Sequence, residues 1–152
     1  MDNDRPEPVI AELSTAECYQ KLASHTVGRI GVIVDQYPLI IPVNYLLDRN
    51  TVVLRTAPGT VIIDADQAKV TLQVDEFDVE RQSGWSVLLK GRGRAVHFDD
   101  IDELYARTTA TGLVSWAPGA RDLWIRITPD GVSGRRIVPG ELEWRLDSAA
   151  YL

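Results

Sequence analysis

Three β-strand patterns follow one another between residues 27 and 55, and this close spacing constrains the fold more than any other feature. Residues 29–34 are rich in β-branched side chains, and 39–47 and 51–55 repeat the pattern. Short turn-forming segments at 35–38 and 48–50 separate the three. Parallel strands need a crossover of a dozen or more residues, for which there is no room here. The segment therefore predicts an antiparallel meander.

The rest of the chain predicts about three further strands and two or three helices. Predicted strands are 69–75, 85–98 (one strand, or two joined by a bulge at Gly91 or Gly93) and 123–127, with turns at 130–131 and 133–134. Predicted helices are 14–24, 99–112 and a short helix at 60–68. Ser14 and Glu17 form a capping-box pattern, and Cys18 is expected to be a packing residue. The sum is a mainly β fold, a small antiparallel barrel or sandwich.

The length of 152 residues fits one domain. We expect a flexible N-terminal arm at 1–9, the domain at 10–138 and a C-terminal tail at 139–152. No apolar run is long enough to span a bilayer, so no membrane partner is expected. A single cysteine, Cys18, excludes a disulfide framework within the chain and favours a cytoplasmic location.

The net charge of −6 argues against a nucleic-acid partner. The only histidines, His25 and His97, are far apart and belong to no metal-ligand motif, so no metal is expected. Lys90, Arg92 and Arg94 alternate on one predicted strand and share a face, which predicts a solvated surface or, less often, a phosphate-binding patch. No nucleophile elbow or phosphate-cradling glycine loop is present. Any chemistry would therefore come from a cofactor rather than from a catalytic side chain.

Several segments recur in a recognisable order. They are Val27-Gly28-Arg29-Ile30-Gly31-Val32 with Pro42-Val43-Asn44-Tyr45, then residues 52–60 (VVLRTAPGT), 84–96 (GWSVLLKGRGRAV) and 124–129 (WIRITP) with Gly134-Arg135-Arg136. As an ordered set they resemble the pyridoxamine 5′-phosphate oxidase-like, FMN-binding split-barrel superfamily, and its small actinobacterial-type members most of all. The resemblance covers about residues 10 to 137.

The resemblance implies a six-stranded antiparallel Greek-key split barrel that forms a homodimer. It implies FMN in a cleft at the dimer interface, contacted by both chains. Cationic side chains, hydroxyls and backbone N–H groups suit the phosphate, and the implied residues are Arg55, Thr56, Ala57, Gly59 and Thr60. The residues implied for the flavin ring are Pro42, Val43, Asn44, Tyr45, Trp85 and Ser86, with Trp116 lining the substrate side of the cleft.

One position departs from the family pattern. Similar sequences carry a lysine after the Gly-Thr pair, and here the residue is Val61. Three outcomes remain open: FMN bound through the other contacts, a deazaflavin coenzyme in its place, or another planar ligand or none. The expected function is a flavin-dependent oxidoreductase that reduces a small electrophilic or aromatic substrate. The alternatives are a deazaflavin-dependent reductase, a non-enzymatic flavin or haem carrier or sensor and, least favoured, pyridoxamine-phosphate oxidation.

Overall fold

The computed structural model describes residues 7–56, 61–110 and 123–139. Within these ranges the chain forms seven strands, two α-helices and a short 3₁₀ helix at Val61–Ala65. The strands are β1 (Val9–Leu13), β2 (Val27–Val34), β3 (Tyr37–Asp48), β4 (Thr51–Thr56), β5 (Lys69–Asp78), β6 (Ser83–Ala95) and β7 (Leu123–Val138). The helices are α1 (Thr15–Ala23) and α2 (Phe98–Ala110). No helix in the described ranges is long and apolar enough to cross a membrane.

All seven described strands pair antiparallel in the order β1-β7-β4-β3-β2-β5-β6. A further pairing of β6 with β7 closes the sheet into a barrel. The mainly β, antiparallel barrel is confirmed, with one strand more than the six predicted. The additional strand is β1, which pairs with the far end of β7 through Val9↔Val138 and Leu13↔Gly134. Its five residues are too short for alternation to stand out in the sequence.

The last strand is much longer than predicted. β7 runs for 16 residues instead of ending at Ile127, and the turns predicted at 130–131 and 133–134 are wrong. Pairing with β6 carries the strand through those residues, as Lys90↔Gly131 and Leu88↔Ser133 show. The register shifts at Lys90/Gly91, so the bulge expected near Gly91 is confirmed.

Smaller differences concern element ends. Tyr37 and Pro38, predicted in a turn, belong to β3, because Asp35 and Gln36 make the turn with φ values of 49° and 70°. Two consecutive positive φ values are typical of a two-residue hairpin turn. β6 ends at Ala95, short of the predicted residue 98. The helix predicted at 60–68 is only the short 3₁₀ helix.

Apolar side chains fill the inside of the barrel, and α1 packs against one end. The predicted capping box is present: the Glu17 amide donates to Ser14 Oγ at 3.2 Å, and the Ser14 amide donates to Glu17 Oε2 at 2.7 Å. This backbone donation from Ser14 lowers the pKa of Glu17. Cys18 and Leu22 of α1 are fully buried, which confirms Cys18 as a packing residue. Burial raises the pKa of the Cys18 thiol.

The second helix packs on the outside of the barrel. Leu104 of α2 is fully buried with Val53 of β4 and Trp124 of β7, and Leu46, Val96 and Ile101 border this cluster. The outer faces of β4 and β7 are therefore covered at this point. The outer face of β2, β3, β5 and β6 carries exposed apolar side chains, which are Val27, Ile33, Ile40, Phe77 and Leu88.

Candidate functional site

The segment Pro42–Tyr45 divides between the two faces of β3 because side chains alternate along a strand. Val43 and Tyr45 point into the barrel, with 7% and 0% of their surface exposed. The Tyr45 hydroxyl donates to the Leu22 carbonyl oxygen at 2.6 Å, and burial raises its pKa far above the ordinary value. Pro42 and Asn44 are on the outer face. Of the four side chains in the segment, only these two face away from the barrel interior.

Arg55 lies on the outer face at the end of β4. Its guanidinium carbon is 5.3 Å from the centre of the Trp124 ring and 5.5 Å from that of Tyr105. Trp124 is 3% exposed and fixed beneath α2, so the cation is held on a rigid aromatic platform. Thr56, the next residue, is buried on the inner side.

Asn44 is the neighbour of Arg55 across the sheet. The β3–β4 pairing ends at Tyr45↔Leu54, so Asn44 and Arg55 are the residues just beyond it on the two strands, and Arg55 pairs in turn with Trp124. Directly opposed residues on neighbouring strands lie about 5 Å apart. An amide, a guanidinium and an indole therefore form one row across three strands on the outside of the barrel.

Trp85 and Ser86 point in opposite directions from β6. The Trp85 indole meets the His25 ring edge-on at 4.9 Å, and Lys21 Nζ lies 5.0 Å from the Trp85 ring. This ring borders a recess of about 460 Å³ beside α1. Ser86 is on the outer face and pairs with Asp75 of β5. β5 and β2 lie between β6 and β3, so Ser86 is three strands, or about 14 Å, from Asn44.

The remaining predicted site residues lie outside the described part of the chain. These are Ala57, Gly59, Thr60 and Trp116. The side chain of Val61 is also outside it, although its backbone begins the 3₁₀ helix. Their assignments stay predictions. Of the site residues that the structure does describe, it brings Asn44 and Arg55 together, with Pro42 on the same strand face.

Two further features were missed by the sequence analysis. Asp48 was predicted as part of a loop, but it is 8% exposed and binds the guanidinium groups of Arg107 and Arg126. An open groove of about 690 Å³ crosses the outer face of β2, β3, β5 and β6, bordered by apolar Ile33 and Ile40 and by Lys69 and Lys90. Residues far apart in sequence form both features, so no local spacing signals either.

The donors around Arg55 fit an anionic, planar ligand. The guanidinium can bind a phosphate through two parallel N–H groups, and the Asn44 amide offers a donor and an acceptor beside it. The aromatic platform beneath Arg55 restricts its rotamers before a ligand arrives. In the described ranges, no three His, Cys, Asp or Glu side chains are grouped closely enough to hold a metal ion.

Comparison with known proteins identifies relatives over most of the chain. The family model described as pyridoxamine 5′-phosphate oxidase matches residues 14–136. An uncharacterised protein of Mycobacterium tuberculosis is 30% identical over 135 residues, which is 85% of this chain and 86% of that protein.

Two solved structures are similar in sequence and in fold. One is the FAD binding protein from Mycobacterium smegmatis, with 30% identity, a TM-score of 0.65, and coverage of 84% of this chain and 98% of that one. The other is a FAD-binding protein from Mesorhizobium loti, with 26% identity, a TM-score of 0.67 and the same coverage of 84% and 98%.

Proposed function

The chain belongs to the pyridoxamine 5′-phosphate oxidase family, and on that premise we propose that it is a flavin-binding oxidoreductase. The observation that carries the proposal is Arg55, a cation fixed on Trp124 and Tyr105 beside Asn44. A flavin nucleotide joins a flat ring to a phosphate, and this row offers a cationic group and an amide side by side. The relatives named as FAD-binding proteins support a flavin as the ligand.

Each described residue has a distinct part in this proposal. Arg55 binds the phosphate by charge-assisted hydrogen bonds. Asn44 contacts the polar edge of the ring, and Pro42 limits strand pairing beside it. Ala57, Gly59 and Thr60 extend the phosphate contacts past the end of β4, whereas Thr56 is buried on the inner side and takes no part. Bound flavin supplies hydride transfer, and the protein orients the ring and excludes water from it.

The proposed cofactor is FMN, with FAD and a deazaflavin coenzyme as the forms to compare. FAD enters the comparison because two of the relatives carry it in their names. A lysine contact to a phosphate is typically worth about 1.5–3 kcal/mol, so Val61 in its place weakens FMN by roughly one to two powers of ten. A coenzyme with further contacts along the outer face compensates for that loss.

The proposed site is shared between two chains of a homodimer. Ser86 lies on the outer face but three strands from Asn44, so a second chain is the simplest way to bring it towards the same ligand, with Trp116 proposed for the substrate side. Trp85 points to the other side of β6 and has no place in this row. Ile33 and Ile40 are 67% and 74% exposed beside the groove on this face. Contiguous exposed apolar residues of this kind mark interaction surfaces.

The reaction proposed is reduction of a small electrophilic or aromatic molecule next to the flavin ring. No described side chain near Arg55 has the geometry of a nucleophile paired with a base, so specificity would come from the shape of the cleft. Reduced nicotinamide or reduced deazaflavin would supply the electrons. Turnover with either donor and an aromatic acceptor, dependent on added flavin, tests this activity.

Titration of the purified protein tests cofactor binding directly. Protein freed of any bound flavin is titrated separately with FMN, FAD and a deazaflavin. The fluorescence of the added flavin and the unfolding temperature of the protein are recorded. We expect saturable quenching and thermal stabilisation by at least one of the three, with the tightest-binding form identifying the cofactor. A colourless protein that none of the three quenches or stabilises would overturn the proposal.

Sedimentation velocity tests the dimer. We expect a dimer at micromolar concentration for the wild type and a monomer for Ile40→Glu, because a carboxylate would be buried without a partner. The matched control is Val79→Glu, which changes an 86% exposed apolar residue in the turn between β5 and β6. A wild type that sediments as a monomer, or dimers unaffected by Ile40→Glu, would contradict the assignment of this face.

A further inference from the structure

A second pocket lies on the outside of the barrel, between α2 and the strands β6 and β7, and has a volume of about 470 Å³. Among the described residues four arginines line it, and we call it the arginine pocket: Arg49, Arg94, Arg107 and Arg126. The chain as a whole carries a net charge of −6. A concentration of cations in one pocket is therefore opposite in sign to the overall charge and calls for a local explanation.

The arginine pocket and the Arg55 site are on opposite sides of α2. Glu103 and Arg107 are one helical turn apart and line the arginine pocket. Tyr105 is two residues from each of them, which is about 200° around the helix. It contacts Trp124 and Arg55 instead. The helix thus separates Arg55 from the arginine pocket. The function proposed for Arg55 does not account for the arginine pocket.

Two of the four guanidinium groups are fixed in place by Asp48. Arg107 Nε and Nη2 donate to the two carboxylate oxygens of Asp48 at 3.2 and 3.0 Å. Arg126 Nη1 donates to Asp48 Oδ2 at 2.8 Å and to Thr51 Oγ1 at 2.6 Å. Burial alone would raise the pKa of Asp48, but the hydrogen bonds from Arg126 and Arg107 outweigh it and the pKa is lowered. Asp48 therefore remains ionised and holds both cations at the pocket wall.

Arg126 keeps donors that no other described residue uses. A guanidinium has five N–H groups, and those on Nε and Nη2 of Arg126 make no hydrogen bond to another residue of the described ranges. Arg94 is its direct partner across the β6–β7 pairing, and both side chains are on the outer face. Like charges directly opposite each other on neighbouring strands destabilise a sheet.

Counted over the described residues, the carboxylates of the pocket are fewer than its arginines. Glu103 is bound by Arg107, and Asp48 is shared between Arg107 and Arg126. Asp100 is the remaining carboxylate of the pocket wall. Within the part of the chain that the structure describes, neither Arg49 nor Arg94 makes an ion pair or a side-chain hydrogen bond. An anion placed between Arg94 and Arg126 would remove their repulsion and use the free donors of Arg126.

We propose that the arginine pocket binds a phosphate dianion, either free phosphate or a phosphate monoester. The planar donor fork of arginine matches phosphate oxygens, and two arginines are directly opposed in the pairing of β6 with β7. The volume of about 470 Å³ is within the usual range for small-molecule sites. This proposal does not depend on the flavin proposal. It assigns a ligand to Arg94, one of the three cations that alternate along β6.

Calorimetric titration of the full chain with inorganic phosphate and with ribose 5-phosphate, at constant ionic strength, tests the proposal. The variant is Arg94→Gln, and the matched control is Arg92→Gln. Both residues are exposed on the same face of β6, and only Arg94 lines the pocket. We expect saturable binding by the wild type, at least about tenfold weaker binding by Arg94→Gln, and a change of less than about twofold for Arg92→Gln. Tighter binding of ribose 5-phosphate than of inorganic phosphate would identify a monoester as the ligand, and equal affinity would identify free phosphate.

Three results would overturn the proposal. The first is no saturable phosphate binding by the wild type. The second is equal weakening by Arg92→Gln and Arg94→Gln, which would indicate general surface charge. The third is loss of phosphate binding when flavin saturates the protein, which would make this the phosphate contact of the flavin itself. Arg55→Gln separates the two proposals, because it should weaken flavin and leave the affinity for inorganic phosphate within about twofold.

Discussion

The two faces of the same strands differ in what they can do. On β3, Val43 and Tyr45 are packed inside the barrel, whereas Asn44 between them faces outwards. On β4, Thr56 is buried and Arg55 is outside on its aromatic platform. The inner face contributes core packing, and the outer face carries the groups that we propose bind the ligand. A continuous segment of sequence that resembles a cofactor site therefore contributes only every second side chain to it.

The largest expected effect is on the inner face. Tyr45→Ala removes a fully buried ring and its hydrogen bond to the Leu22 carbonyl, so we expect the free energy of unfolding to fall by about 3–5 kcal/mol. Its neighbour Asn44→Ala should cost less than about 1 kcal/mol and weaken flavin binding instead. Urea denaturation of both variants measures the difference. Comparable losses of stability would mean that the two faces are not energetically distinct.

Asp48 is a buried carboxylate on the outer side, where two arginines cover it. Asp48→Asn leaves Arg107 and Arg126 without their shared carboxylate, and we expect a loss of about 2 kcal/mol at pH 7.

The same residue gives a pH dependence. Because the pKa of Asp48 in the folded protein lies below its unfolded value of about 4, its contribution to stability is complete above that value and is lost as the pH falls through the folded-state pKa. Stability measured from pH 7 to pH 2 should therefore fall less steeply in Asp48→Asn than in the wild type. Parallel curves for the two proteins would exclude this role for Asp48.

Two glycines on β7 allow the effect of a glycine-to-alanine substitution to be compared between the inner and outer faces of the barrel. A Cβ on Gly134 would lie 2.8 Å from Cys18 Sγ and 2.9 Å from a methyl carbon of Leu13, whereas a Cβ on Gly131 would meet nothing within 4 Å. We expect Gly134→Ala to destabilise the protein by about 1–3 kcal/mol and Gly131→Ala to change it by less than about 0.5 kcal/mol. Thermal unfolding measures both. Adding Cys18→Ala to Gly134→Ala should recover part of the loss.

Much of this fold could be predicted because its signals are local. Alternation in β2 to β5 and the Ser14–Glu17 capping box are contained in short segments, and the structure has them where the sequence indicated. The length of β7 could not be predicted in this way. Asp130-Gly131 and Ser133-Gly134 have the composition of turns, and only pairing with β6 keeps them extended.

The candidate site was predictable in its strands but not in its side chains. The ordered segments identified β3 and the end of β4, but Val43 and Tyr45 turn inwards because of a register that distant strands determine. The cluster of Asp48, Arg107 and Arg126 joins residues up to 78 positions apart, so no motif describes it.

The most direct test of the account compares flavin binding by Arg55→Gln and Arg92→Gln. Both variants remove one guanidinium from the outer face, but only Arg55 lies on the Trp124 platform beside Asn44. Fluorescence titration with the tightest-binding flavin should show a dissociation constant raised about tenfold to a hundredfold by Arg55→Gln and changed less than about twofold by Arg92→Gln. Unchanged flavin affinity in Arg55→Gln would contradict the account.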